Sequence, residues 1–255
     1  MLSVLKAKWF RRSVTTVLVT AFWLAVWHFG VEYVNQDLLM PLPYPKNVAE
    51  SLWHLMGEAE FWLIIAQSLG RILFGFVMAV IVGILLAVLT TRFSFVHALF
   101  SPVLSLIRAV PVASFIFLVF LWVKAEEMPS LIAFLMVVPL IWGNVQQGIR
   151  QTDRHLLEMA QVFRLNWWTR LRSIHIPSVR PYLQAALTTG FGFAWKSGIA
   201  AEVICWPNES IGYRIAAAKS YLNMTEVFAW TAAVVVLSVA LEWLLRYLVR
   251  RGAKG

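Results

Sequence analysis

The chain has 255 residues, of which 60% are hydrophobic and only 14% charged, with a formal net charge of +9. Soluble domains run about 45–50% apolar and about 25% charged, and a water-facing surface this apolar would aggregate. The composition excludes a soluble globule, a disordered chain and a nucleic-acid-binding domain, and the lone cysteine, Cys205, excludes an intrachain disulfide or cysteine-cluster metal site.

What remains is an all-α, polytopic membrane protein. Crossing a hydrocarbon core of roughly 30 Å takes about 20 apolar helical residues. In chain order six stretches qualify: Val14–Val34, Phe61–Thr90, Phe95–Val123, Pro129–Ile149, Pro181–Trp206 and Val227–Tyr247. The second and third exceed what spanning needs, so they tilt or extend beyond the core. The first is too long for a signal-peptide core and has no small-residue cleavage site after it, so it reads as a retained span. Residues 1–13 and 248–255 are then terminal segments, and 14–60 holds the first span with its following loop.

Basic residues set the orientation. Lys6, Lys8, Arg11 and Arg12 precede the first span, and Arg92 follows the second. Arg150, Arg154, Arg164, Arg170, Arg172 and Arg180 follow the fourth, and Arg246, Arg250, Arg251 and Lys254 close the chain. These fifteen of the 22 Lys and Arg share one side, while only Lys46, Lys124, Arg214 and Lys219 fall on the other. The positive-inside rule makes both termini cytoplasmic, in keeping with an even number of crossings.

The external loops differ. The run from Pro41 to Pro45, in a loop that also carries Asp37, should be extended. Pro207-Asn-Glu-Ser210 and Gly212 supply turn chemistry after the fifth span. In the second span, Ala79, Gly83 and Ala87 recur every four residues, which lets a neighbouring helix approach closely.

The cytoplasmic loop after the fourth span is about 30 residues, too apolar for disorder and too long for a plain connector. Asp153 is placed to cap a short helix with Leu156, Leu157, Ala160 and Phe163 on one face. Asn166 is placed to cap a second, with Trp167, Trp168, Leu171 and Ile174 as its apolar positions, and Pro177 should end it. Those faces need cover from the chain's own span ends, the membrane interface or a partner protein.

This loop resembles the "EAA" motif of binding-protein-dependent ABC importer permeases, which reads E-A-A, three residues, G, nine residues, I-x-L-P. Glu158, Ala160, Ile174 and Pro177 stand at matching positions, whereas Met159, Arg164 and Ile176 replace the second residue, the glycine and the leucine. Asn166 occupies the usual small capping position and Trp168 one that is often aromatic. Ser68-Leu-Gly-Arg71 with Gly75 resembles the start of the family's transmembrane domain, and Pro102, Pro111 and Ala113 its proline-rich third span. Ala194-Trp195 and Ala201-Glu202 resemble elements of the nitrate/sulfonate/taurine branch, and the likeness runs over about 61–247.

The resemblance implies a type I importer permease of six spans in a bacterial plasma (inner) membrane. It implies a second permease copy in the bilayer, with the translocation pathway between the two. Two separate subunits bind ATP and Mg, and an external solute-binding protein delivers a small solute such as a sulfonate or nitrate. The loop residues Glu158, Ala160, Arg164, Asn166, Trp168, Leu171, Ile174 and Pro177 would couple the permease to the ATPase.

Ionisable groups inside spans are costly and rarely face lipid. Lys196 is the leading pathway candidate, with Arg108, Trp195 and Glu202 beside it. Lys196 and Glu202 are six residues apart, about 240° around a helix, so they cannot readily neutralise each other. Glu202 alternatively caps or pairs at its helix end, and Glu242 is one turn from Arg246. The segment Gly190–Ser197 nearly matches a phosphate-binding loop, but Trp195 stands where glycine is required, so no ATP site is assigned to this chain. No catalytic or metal constellation occurs, so the chain is read as a transport subunit and not an enzyme. A stand-alone ion-coupled transporter is the alternative.

Overall fold

The structure, a computed structural model, describes residues 2–35 and 41–252. Asp37 and Lys254 lie outside the described residues, as do the side chains of Lys6, Lys8, Arg11, Arg12 and Arg250.

All regular structure among the described residues is helical. The chain runs α1 (Leu2–Val34), α2 (Pro45–Met56), α3 (Ala59–Arg92), α4 (Ser94–Ala109), α5 (Val112–Val119) and α6 (Met128–Arg150). It continues with α7 (Arg154–Val162), α8 (Trp167–Arg170), a π-turn at Leu171–His175, α9 (Ile176–Cys205), α10 (Ile211–Ser220) and α11 (Met224–Gly252).

The core is a three-helix seam of α3, α6 and α9, and small residues set its closeness. Gly75, Ala79, Gly83 and Ala87 form one buried stripe on α3. A Cβ at Gly75 would collide with the Ser130 backbone of α6, and one at Gly83 would lie 2.8 Å from Ile141 Cβ. On α9, Gly198 admits Ile72, and Gly190 faces Val137 and Leu140. Trp142 Nε1 and Gln146 Nε2 both donate to Thr90 Oγ1, at 2.8 and 3.1 Å, across the α3–α6 seam. Among the described residues, helix α1 meets the bundle near one end, where Val31 is buried and Trp27 meets Phe228.

Among the described residues, four helices are long and apolar enough to cross a membrane: Val14–Val34 of α1, α3, α6 and Met224–Val249 of α11. Helix α9 has the length, at 30 residues, but carries Arg180, Lys196 and Glu202. The expected single span Phe95–Val123 is broken instead into α4 and α5, bent by 110°. Val110 is extended there (φ −78°, ψ 132°) and Pro111 follows. Proline lacks the helical donor and drives its predecessor out of the α region. Six crossings remain compatible with this arrangement if the bent pair and α9 each traverse.

Three further expectations are corrected. Pro45 does not continue the extended run but opens α2, because a proline in the first helical turn gives up a donor that is orphaned anyway. Gly212 is not part of a turn but lies in the first turn of α10, where any Cβ would strike Glu202. Pro177 does not end the loop helix. Ile176 N–H instead donates to Leu171 O, five residues back, and the widened π-turn lets the helix pass Pro177 into α9.

Candidate functional site

The loop between α6 and α9 is built by its caps. Asp153 accepts from His155 N at 2.8 Å and starts α7. Asn166 accepts from Thr169 N at 2.8 Å and starts α8. Between them α7 closes in a Schellman motif: Leu165 N donates to Ala160 O at 2.9 Å and Arg164 N to Gln161 O at 3.0 Å. This motif requires a left-handed residue, and Arg164 adopts it at φ 50°. The turn that glycine serves in the resembled motif therefore persists with arginine, at a cost of about 1 kcal/mol.

The eight loop residues differ in exposure. Ala160 and Ile174 are buried and fasten the two loop helices to the bundle. Glu158 is exposed beside His155, and Pro177 is exposed on α9. Trp168 is 73% exposed, so its indole does not pack under the permease's own span ends. Its ring meets Trp167 edge-on, with centroids 4.9 Å apart. Leu171 instead lines an apolar cavity shared with Trp167 and the ends of α3 and α6. His175 in the same cavity is held below its ordinary pKa of 6.5, first by burial and then by the positive charge of Arg170.

The four intramembrane candidates do not form one site. Trp195 is buried in the core, with Nε1 donating to Val234 O of α11 at 3.3 Å. Glu202 is fully buried between α3, α9 and α10. Its Oε2 accepts from Ser68 Oγ at 3.0 Å and from Gly212 N at 3.1 Å. Ser68 Oγ in turn accepts from Ile211 N, and Ser210 Oγ from Tyr213 N, both at 3.0 Å. Three side chains thus satisfy the first three donors of α10, where a helix has orphans to fill. Arg71, one turn beyond Ser68, donates to Asn208 O at 3.1 Å.

Arg108 and Lys196 face outward from the core. Arg108 lies over the Trp142 ring at 5.4 Å, beside a cavity of about 520 Å³ that Asn144, Gln147 and Phe193 also line. Lys196 borders a second cavity of about 240 Å³ with Thr188, Thr189, Glu242 and Arg246. Phe193 lines both, so the two cations share one face of the bundle. Glu242 is already held by Arg246 at 3.3 Å, and Gly192 gives it room. Sequence reasoning missed Asn144 and Gln147, although two amides three residues apart in an apolar span were a readable signal.

A family model described as "Binding-protein-dependent transport system inner membrane component" matches residues 79–254. The taurine transport system permease protein TauC of Escherichia coli K12 is 27% identical, over 97% of this chain and 92% of its own length. The putative aliphatic sulfonates transport permease protein SsuC of Bacillus subtilis 168 is 24% identical, over 95% of this chain and 86% of its own. Among solved structures, an amino acid ABC transporter aligns with a TM-score of 0.62 at 17% identity, over 74% of this chain and 94% of that one. The last is a likeness of fold alone.

Proposed function

This chain belongs to the family of binding-protein-dependent transport system inner membrane components, and from that membership we propose the following division of labour. The chain is the multi-pass permease subunit of an ABC importer, not an enzyme. Two copies enclose the pathway, both termini are cytoplasmic, and residues 61–247 form the transport domain. Two separate chains bind ATP and Mg, and an external binding protein supplies the solute. The solute is a small sulfonate-like anion, because the relatives named for taurine and aliphatic sulfonates match nearly the whole chain. A stand-alone ion-coupled transporter finds no support in that membership.

The observation that carries the coupling role is the capped α7–α8 unit with Trp168 projecting from it. A stiff helix can make the differential contact that biases a two-state transporter, and a floppy loop cannot. Arg108 and Lys196 line the pathway face, where their charges suit an anion, while Glu202 and Trp195 hold the helices in place. The test is reconstitution with the cognate ATPase and binding protein in vesicles. Taurine or an alkanesulfonate should bind the binding protein and stimulate ATP hydrolysis and uptake, and failure of every sulfonate would remove the substrate assignment. A cysteine at Asn47 should label from outside sealed cells and one at Arg170 only after permeabilisation. The reverse would overturn the orientation.

A further inference from the structure

A cavity of about 680 Å³ opens between the ends of α3 and α6, the loop helix and the start of α9. Its walls are almost wholly apolar, with Val88, Val145 and Leu183 among them. Water gains little in such a space, because it needs two or more polar partners. Two cations nevertheless stand in the lining, Arg92 from the last turn of α3 and Arg180 from the first turns of α9. Neither has a hydrogen bond or ion pair among the described residues. Trp167 is the third amphipathic member, and its indole suits the boundary between headgroups and acyl chains.

Two guanidinium groups without a partner among the described residues, lining one apolar trough, suit a ligand with both an anion and a hydrocarbon tail. We propose that this cavity is a binding site for an anionic glycerophospholipid of the cytoplasmic leaflet, with its phosphate held by Arg92 and Arg180 and one acyl chain laid along Val88, Val145 and Leu183. Basic pockets between helices on the cytoplasmic side are suited to such headgroups. Trp168 is not part of the lining, so the lipid and a partner ATPase do not compete for it. The inference shares with the proposed function only the cytoplasmic placement of this end, and its readout is bound lipid, not transport.

The full-length permease, purified with its ATPase, is exposed to mixed micelles of phosphatidylglycerol and phosphatidylcholine, and retained lipid is identified by native mass spectrometry. The wild type should retain phosphatidylglycerol preferentially. Arg92→Gln with Arg180→Gln should weaken that preference by about fivefold per arginine. Val88→Phe, which fills the trough, should lower retention of lipid altogether. Unchanged preference in the double variant overturns the proposal. So does displacement of the lipid by excess inorganic phosphate, which would mark a free-anion site. So does lipid that binds the permease alone but not the complex, since the ATPase would then cover the cavity. A photoactivatable phosphatidylglycerol on the wild-type complex keeps the test independent of folding. Adducts within residues 84–92 and 175–183 are expected, and adducts confined to other segments refute the site.

Discussion

Glu202 Oε2 accepts the Ser68 hydroxyl at 3.0 Å, deep between α9 and α3, at the point where α10 begins. The same oxygen accepts Gly212 N–H, and Ser68 accepts Ile211 N–H, so one carboxylate and one hydroxyl cap α10 from two other helices. Glu202→Ala would strand a buried backbone donor and the Ser68 hydroxyl. It should destabilise the purified permease by about 3 kcal/mol, read as a lowered melting temperature. Uptake per folded molecule should keep its KM. A raised KM at unchanged stability would move Glu202 into the pathway.

Arg164 gives a prediction of opposite sign. It occupies the left-handed position of the Schellman turn at φ 50°. Arg164→Gly should relieve about 1 kcal/mol of backbone strain, and Arg164→Val should cost more than arginine does. Hydrogen exchange at Leu165 N–H, which donates to Ala160 O, is the direct measurement. Faster exchange in the glycine variant would contradict the assignment.

His175 makes the loop helix sensitive to pH. Burial, followed by the charge of Arg170, lowers its pKa from 6.5, so the folded loop prefers the neutral ring. The unfolded loop binds the proton first, so stability is full above pH 6.5 and is lost as pH falls below it toward the folded value. Exchange protection over 167–176 should therefore drop on acidification from about pH 7 to about pH 5, and His175→Gln should flatten the profile.

Much of the fold was legible because lipid imposes a simple rule: a span must be a long apolar helix. The caps at Asp153 and Asn166 were legible for a similar reason, since each is a local hydrogen bond written in adjacent residues. What escaped were features decided by distant partners. Helix α10 looked like a turn because its capping groups, Ser68 and Glu202, lie 143 and 10 residues from the donors they satisfy. The break at Pro111 was visible as a proline, but a proline alone does not say whether a helix kinks or turns through 110°. Pro177 misled because a π-turn, not a stop, absorbs it. Trp195 and Lys196 are adjacent in sequence, yet one is buried and the other faces the cavity, a split set by how α9 packs against its neighbours.

The face that carries Lys196 and Arg108, which we propose lines the pathway, should answer to charge. Lys196 has no partner among the described residues beyond sharing a cavity with the paired Glu242, so removing it leaves no stranded counter-ion. Lys196→Gln should leave the melting temperature unchanged and raise the KM for sulfonate uptake by about tenfold, equivalent to about 1.4 kcal/mol. Lys196→Arg should largely restore it, and Arg108→Gln should act in the same direction. Equal KM values for Lys196→Gln and the wild type would take the cation out of the pathway.

Trp168 and Leu171 are three residues apart, yet they meet different surroundings. Trp168 is 73% exposed, and Leu171 lines the apolar cavity against the ends of α3 and α6. If α8 docks on the ATPase, the projecting indole is the anchor, and aromatic anchors in a partner's pocket contribute about 2 kcal/mol or more. Trp168→Ala should then weaken ATPase capture by roughly thirtyfold and reduce substrate-stimulated hydrolysis. The melting temperature of the isolated permease should stay where it was, because little buried surface is lost. Leu171→Ala should do the reverse, lowering the melting temperature while the folded fraction still captures ATPase. Pull-down and calorimetry on both variants separate the two roles. If Trp168→Ala melted early and captured ATPase normally, the indole would be a structural plug. The docking surface would then have to be sought on α7, beginning with the exposed Glu158 and its neighbour Met159.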